Sequence, residues 1–149
     1  MNKDKFYMDI AISHAKNAAK NGEVPVGAVI VRDDEIISVG ANRRETDKNA
    51  LSHAEIIAIN EACKKLGGWR LSDCTLYVTL EPCPMCAGAI VNSRIKRVVY
   101  GTRDAKAGAL GSVLNMNSYP LNHKIGLCTG VCESECAGLL SDFFKELRK

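Results

Sequence analysis

Two short clusters carry the residue types that chemistry at a metal needs. One is His53-Ala54-Glu55. The other is Pro82-Cys83-Pro84-Met85-Cys86, in which Cys83 lies 30 residues beyond His53. Cysteines spaced i, i+3 point the same way on a helical turn. Both clusters fall where helices are expected to start, and the positive end of a helix dipole favours thiolate over thiol. Two thiolates and a neutral imidazole suit Zn²⁺. Three protein ligands leave a fourth tetrahedral position open to water, which marks a catalytic rather than a structural site. Zinc lowers the pKa of such a water to about 7. Glu55 is not a ligand in this scheme and is free to take the water's proton and return it.

Plainer readings stand beside this one. A Cys-x-x-Cys pair also serves redox chemistry, although Cys83 follows Glu81-Pro82 rather than a thioredoxin-like context. A closed structural zinc site would need a fourth ligand from Cys63, Cys74, His123, Cys128, Cys132 or Cys136. A histidine in an isolated His-x-Glu is commonly a surface residue. The second cluster is what argues otherwise.

The elements that must position these residues can be read from periodicity. Lys3 to about Lys20 reads as a helix, with Tyr7, Ile10, Ala11, His14, Ala15 and Ala18 recurring at steps of three and four and Asn21-Gly22 as its stop. Residues 27–31 read as a buried strand, Asp33-Asp34 as a turn and Glu35–Ala41 as the second strand of a hairpin. A helix is expected over Ala54–Leu66, with Ser52 as a natural N-cap and Gly67-Gly68 ending it. Thr75–Leu80 is rich in β formers, and Pro84 suits the first position of a helix running to about Ser93. Residues 96–101 read as a strand, 102–122 as a loop with at most a short helix, and 125–129 as a last strand. Residues 134–147 read as a final amphipathic helix with Leu139, Leu140, Phe143, Phe144 and Leu147 on its apolar face. The Tyr77 and Val99 strands are separated by a helix, so they should pair in parallel. The order predicts an α/β sandwich with a mainly parallel part and an antiparallel hairpin.

The chain of 149 residues is 46% apolar and 25% charged. That is the profile of one globular domain, expected to span 1–149, and it excludes a disordered or fibrous chain. No apolar run approaches the roughly 18 residues of a membrane span. Met1-Asn2-Lys3-Asp4-Lys5-Phe6 lacks the apolar core of a secretion signal, so a cytoplasmic protein is expected. Seven cysteines, an odd number, argue against a disulfide framework. Those outside the Cys83–Cys86 pair read as buried small hydrophobes. The net charge of +3 permits a nucleic-acid partner without arguing for one. The charge is concentrated, however. Arg94, Lys96, Arg97, Arg103 and Lys106 crowd into one stretch against Asp104 alone, a run that could track a phosphate backbone.

The His-x-Glu…Pro-Cys-x-x-Cys pattern is that of the zinc-dependent nucleobase deaminases, the cytidine and deoxycytidylate deaminase family. Longer stretches narrow the resemblance. These are Gly22-Glu23-Val24-Pro25-Val26-Gly27-Ala28, Leu76-Tyr77-Val78-Thr79-Leu80-Glu81-Pro82-Cys83, and Arg97-Val98-Val99-Tyr100-Gly101. They continue with Asp104-Ala105-Lys106-Ala107-Gly108, Gly111-Ser112, Asn122-His123, and Glu135-Cys136 with Leu139-Leu140 and Phe143-Phe144. Together they resemble the bacterial tRNA-specific adenosine deaminases over nearly the whole chain.

That resemblance implies a three-layer α/β/α sandwich of the cytidine deaminase-like type, with a five-stranded mixed sheet flanked by helices. It implies one Zn²⁺ per subunit on His53, Cys83 and Cys86. Glu55 would be the proton shuttle, serving N1 of adenine and then the leaving amine. Asn42 would contact the base, and the Ala54 backbone N–H would face the pocket. Arg103 and Asp104 would lie on the RNA, with Asp104 able to accept from a ribose 2′-OH. Lys145, Arg148 and Lys149 would add charge, with Phe143 or Phe144 near a base. The implied substrate is the wobble adenosine of a tRNA anticodon stem-loop, and the implied assembly is a homodimer. Asn49-Ala50-Leu51-Ser52 departs from the Pro-Thr-Ala expected before His53. A deaminase of a free base or nucleoside (guanine, cytosine or cytidine) would use the same zinc chemistry but would not need the basic stretch. A non-catalytic zinc-stabilised RNA-binding module would not need Glu55.

Overall fold

The computed structural model describes residues 2–148. The elements run α1 (Lys3–Lys20), β1 (Gly27–Arg32), β2 (Glu35–Ala41), α2 (Arg44–Asp47), α3 (Ala54–Leu66), β3 (Thr75–Leu80), α4 (Pro84–Ser93), β4 (Arg97–Thr102), a 3₁₀ turn at Met116–Ser118, β5 (Gly126–Thr129) and α5 (Glu133–Leu147). The predicted elements are present within a residue or two. The addition is α2, a single turn whose sequence Arg44-Glu45-Thr46-Asp47 has no apolar period to announce it.

The strands form one mixed sheet in the order β2-β1-β3-β4-β5. β1 is antiparallel to both β2 and β3, and β3-β4 and β4-β5 are parallel. Alternation along the central strands divides the core in two. Ala28 and Ile30, Leu76 and Val78, and Val98 and Tyr100 face α3 and α4, where Ala54, Ala58, Ala62, Ala87, Ile90 and Val91 meet them. Val29 and Val31, Tyr77 and Val99 face α1 and α5, against Tyr7, Met8, Ala11, Ile12 and Cys136. Both faces of β1, β3 and β4 are therefore covered, which explains their unbroken apolar runs. This is the expected three-layer α/β/α sandwich around a five-stranded mixed sheet.

Strand directions decide where a site can be built. Because β1 opposes both neighbours, β2, β3 and β4 all point the same way. Their carboxyl ends lie along one edge of the sheet, where open α/β sheets form their crevices. Asn42, the Glu81–Cys83 segment and Arg103-Asp104 follow directly from these three ends. The first turn of α3 is pressed onto β2 at Gly40, where any Cβ would lie 2.2 Å from the Ala54 carbonyl oxygen. Gly40 therefore fixes how close His53 and Glu55 come to the sheet.

Candidate active site

His53 is the N-cap of α3 and Cys83 the N-cap of α4, both in extended conformation, with Pro84 in the first turn of α4. Cys86 is buried one turn along α4. His53 Nδ1 lies 3.6 Å from Cys83 Sγ and 3.6 Å from Cys86 Sγ. All three atoms lie within 4.8 Å of one another. A tetrahedral zinc with bonds of about 2.05 Å to nitrogen and about 2.3 Å to sulfur separates those donors by about 3.6 Å. The donors thus fit a metal in both chemistry and spacing. Among the described residues no other His, Cys, Asp or Glu group of this kind exists. His123, a possible fourth ligand by sequence, instead has Nε2 2.6 Å from the Ile95 carbonyl oxygen.

The three groups perturb one another. A hydrogen bond from Cys86, and then one with His53, holds the Cys83 thiol down to about 4. The Cys86 thiol, which keeps its proton against Cys83, is pushed up. His53 is raised by its hydrogen bond with Cys83. Glu55, in the first turn of α3, is 4% exposed. Burial raises its carboxyl to about 7, the nearby Cys83 sulfur adding to the effect, so that both protonation states are accessible near neutral pH.

A cavity of about 490 Å³ opens over this cluster. His53, Glu55 and Cys83 form part of its wall with Asn42. Arg44, Asp104 and the Phe143-Phe144 pair line it from three further elements. Phe143 is half-buried and Phe144 is 41% exposed, so these rings form cavity wall rather than closed core.

Several expectations need correction. Ser52 does not cap α3, because its hydroxyl donates to Asp47 Oδ2 at 3.0 Å. The orphan Ala54 N–H therefore takes another acceptor, Asn42 Oδ1 at 2.9 Å, while Asn42 Nδ2 donates to the Val24 carbonyl at 3.1 Å. Ala54 is fully buried, and its N–H reaches the cavity wall only through Asn42. The basic run does not form one surface. Arg97 opens β4 and Arg103 follows its end, six positions and about 20 Å apart at strand rise. At the far end Arg97 forms a two-pronged ion pair with Asp4 at 2.9 and 2.7 Å. There also Arg94 donates to the carbonyls of Val91 and Asn92 and lies against the Trp69 ring. Only Arg103 and Lys106 are at the cavity end; both are exposed, and Arg103 Nη1 reaches the Tyr100 hydroxyl at 3.3 Å. Asp104 Oδ1 accepts from the Lys106 and Ala107 N–H groups at 3.0 and 3.1 Å. Lys145 and Arg148 are exposed on or just after α5, and Lys149 lies outside the described residues. Sequence reasoning also missed Arg44, and it gave no role to the buried acids Glu23 and Glu81.

The family model of the MafB19-like deaminases matches residues 1–148. This chain belongs to that deaminase family. It is 53% identical to the tRNA-specific adenosine deaminase of Bacillus subtilis (strain 168), over all of this chain and 93% of that one. A solved structure from a study of A-to-I editing by tRNA:A34 deaminases at the wobble position of transfer RNA superimposes with a TM-score of 0.89. That match has 43% identity and covers 91% of this chain and 99% of the other. The guanine deaminase of Bacillus subtilis is more distant, with a TM-score of 0.66 and 34% identity over 82% of this chain and 88% of its own. The deaminase fold accounts for a His/Cys/Cys cluster able to hold a metal beside a buried glutamate. Among the described residues no helix is long and apolar enough to cross a membrane.

Proposed function

We propose that this deaminase, as one domain spanning 1–149, converts adenosine to inosine at the wobble position of a tRNA anticodon by hydrolytic release of ammonia. The observation that carries the reading is the composition of the cavity. His53, Cys83 and Glu55 share one wall, with Cys86 buried behind it, while Asp104, Arg44 and Phe143-Phe144 of other parts of the chain reach the same space. A nucleotide within an RNA strand presents a base, a ribose and flanking phosphates, and the wall offers groups for each. The close similarity to tRNA adenosine deaminases supports the same reading.

His53, Cys83 and Cys86 would hold one zinc ion per subunit. Zinc, when bound, lowers the pKa of a water to about 7 and so supplies a nucleophile at neutral pH. Glu55 would take a proton from the attacking water and deliver it to N1 of the adenine, then carry the proton of the new C6 hydroxyl to the amine as the C6–N bond breaks and ammonia leaves. Burial raises the Glu55 carboxyl to about 7, which suits a group that must both accept and donate. Asn42, on the cavity wall, positions the base through its amide. The Ala54 N–H serves the same contact by donating to Asn42 Oδ1 and fixing which way that amide faces. Phe143 or Phe144 offers a face for stacking, which is sequence-tolerant. Arg103 and Lys106 attract the phosphate backbone. The reading includes a homodimer and a cytoplasmic place of action, where tRNA is modified.

The deciding assay incubates the zinc-loaded protein with an anticodon stem-loop bearing a wobble adenosine, beside free adenosine, cytidine and guanine. Inosine at that one position, absent with Glu55→Ala, is the expected result. Deamination of a free base with the stem-loop untouched would keep the chemistry and discard the RNA substrate.

A further inference from the structure

Two buried carboxyl groups on the cavity wall take no part in the chemistry above. Glu23 and Glu81 are each 2% exposed. Glu23 accepts from the Glu45 N–H at 3.1 Å, the Thr46 N–H at 2.7 Å and the Thr46 hydroxyl at 2.6 Å, and so holds α2. Glu81 is engaged more fully. Its Oε1 accepts from the Asp104 N–H at 3.1 Å and from the Ser112 hydroxyl. Its Oε2 accepts from the Leu110 N–H at 3.0 Å and the Ser112 N–H at 3.1 Å. The donors come from the start and the end of one segment, 104–112, which wraps round the carboxyl. Gly108 completes the wrap, since a Cβ there would lie 2.3 Å from Glu81 Cδ. Two backbone bonds run alongside, from the Glu81 N–H to Thr102 O and from the Ala109 N–H to Pro82 O, both 2.9 Å.

The residue type matters. Three of the four donors are backbone N–H groups, which cannot accept. A carboxylate offers two acceptor oxygens, whereas glutamine would turn an NH₂ toward donors on one side. Burying an acid without hydrogen bonds is costly, so one this buried and this fully bonded is built to hold what it touches. What it holds carries Asp104 and Ala107 onto the cavity wall, with Arg103 and Lys106 beside them. Its other attachment is the chain two residues before Cys83.

We propose that Glu81 is a positioning residue that registers the 104–112 segment against the His53–Cys83–Cys86 cluster, so that the RNA strand and the reacting base are presented to each other. The proposal rests on the functional reading above for its effect on substrate, and on the structure alone for its effect on the segment.

The test compares zinc-loaded wild type with Glu81→Gln, Ser112→Ala, Gly108→Ala, Arg103→Ala and the Glu81→Gln/Arg103→Ala pair. Metal content, amide exchange by NMR, and KM and kcat on the anticodon stem-loop are measured. Glu81→Gln should retain its metal while the Asp104, Leu110 and Ser112 amides exchange about tenfold faster or more. Its KM should rise about tenfold, with kcat changed by less than about threefold. Ser112→Ala should move KM the same way by a smaller factor. Adding Arg103→Ala to Glu81→Gln should raise KM less than Arg103→Ala does alone, because the guanidinium is already misplaced. Unchanged exchange at the three amides would overturn the proposal, as would faster exchange with KM unaltered, or full additivity with Arg103→Ala. If Glu81→Gln does not fold or loses its metal, Gly108→Ala decides. It keeps the glutamate but pushes its carboxyl off the segment, so an unaltered KM there would overturn the proposal. A wild type that makes no inosine would remove the functional reading, while the exchange rates would still judge the clamp.

Discussion

The two ends of the sheet use acids in opposite ways. At the far end Asp4 meets a guanidinium: Arg97 pairs with it, the Tyr77 hydroxyl donates to it at 2.8 Å, and the group is only partly buried. At the cavity end Glu23 and Glu81 are buried among neutral N–H and hydroxyl donors, and Glu55 is buried beside the ligand cluster with its carboxyl raised to about 7. An arginine beside Glu55 would hold it ionised and remove its capacity to return a proton. Arginines paired with Glu23 or Glu81 would add further fixed positive charge to a cavity wall that already carries Arg44. Backbone donors satisfy an acid without that side effect. The difference teaches that charge is compensated by charge where only cohesion is needed, and by oriented dipoles where a proton must move nearby.

The largest effect that would break this contrast is expected at Cys86. Cys86→Ala should lower bound zinc from one per chain to near none by elemental analysis, abolish turnover, and lower the Tm by about 10 °C. Full metal content in that variant would remove Cys86 from the ligand set. Next is Glu55→Gln, which keeps shape but cannot shuttle a proton. Its zinc content should stay at the wild-type level while kcat falls about a thousandfold. Parallel loss of metal would make Glu55 a structural acid like Glu81 and erase the distinction between them.

A smaller effect sharpens the division of the basic residues. Replacing Arg103 and Lys106 together by alanine should weaken stem-loop binding about tenfold and reduce the salt slope by about 1–2. Replacing Arg94 and Lys96 should leave binding within about twofold, since strand β4 carries them to the other end of the sheet. Equal losses from both pairs would mean that the RNA reaches across the whole edge of the molecule.

Why some of this was legible in the sequence and some was not follows from the range of each signal. The His53 and Cys83 helix starts, the buried strands and the Thr75–Leu80 to α4 crossover declare themselves within a few residues. Glycine, proline and apolar period act locally. Glu81 looked like any acid before a proline, because its donors lie 23 to 31 residues away. Ser52 looked like a cap because caps are normally local, yet Asn42 took the Ala54 N–H from 12 residues upstream. The basic stretch from Arg94 to Lys106 is contiguous in sequence, and only the extension of β4 reveals that its halves do different work. Linear proximity predicts elements well. It predicts neither who caps an orphan donor nor which charges share a surface.

The smallest expected effect tests the far end alone. The hydrogen bond from Arg97 holds the Asp4 carboxyl below its ordinary value of 3.8, burial opposes it, and the Tyr77 hydroxyl adds to the lowering. A carboxyl lowered on folding contributes stability above its unfolded value and loses it as pH falls through its folded value. The Asp4 side chain is 24% exposed at the sheet's edge, so screening holds the contribution to about 1 kcal/mol, or a Tm difference of about 3 °C. Asp4→Asn should therefore melt about 3 °C below wild type at pH 7. The gap should close as pH falls below 3.8, while turnover at neutral pH stays unchanged. A gap that persists at low pH would mean that Asp4 acts through packing or capping rather than charge. A loss of turnover would mean that the far end is coupled to the cavity, and the two ways of satisfying an acid would no longer be separable by place.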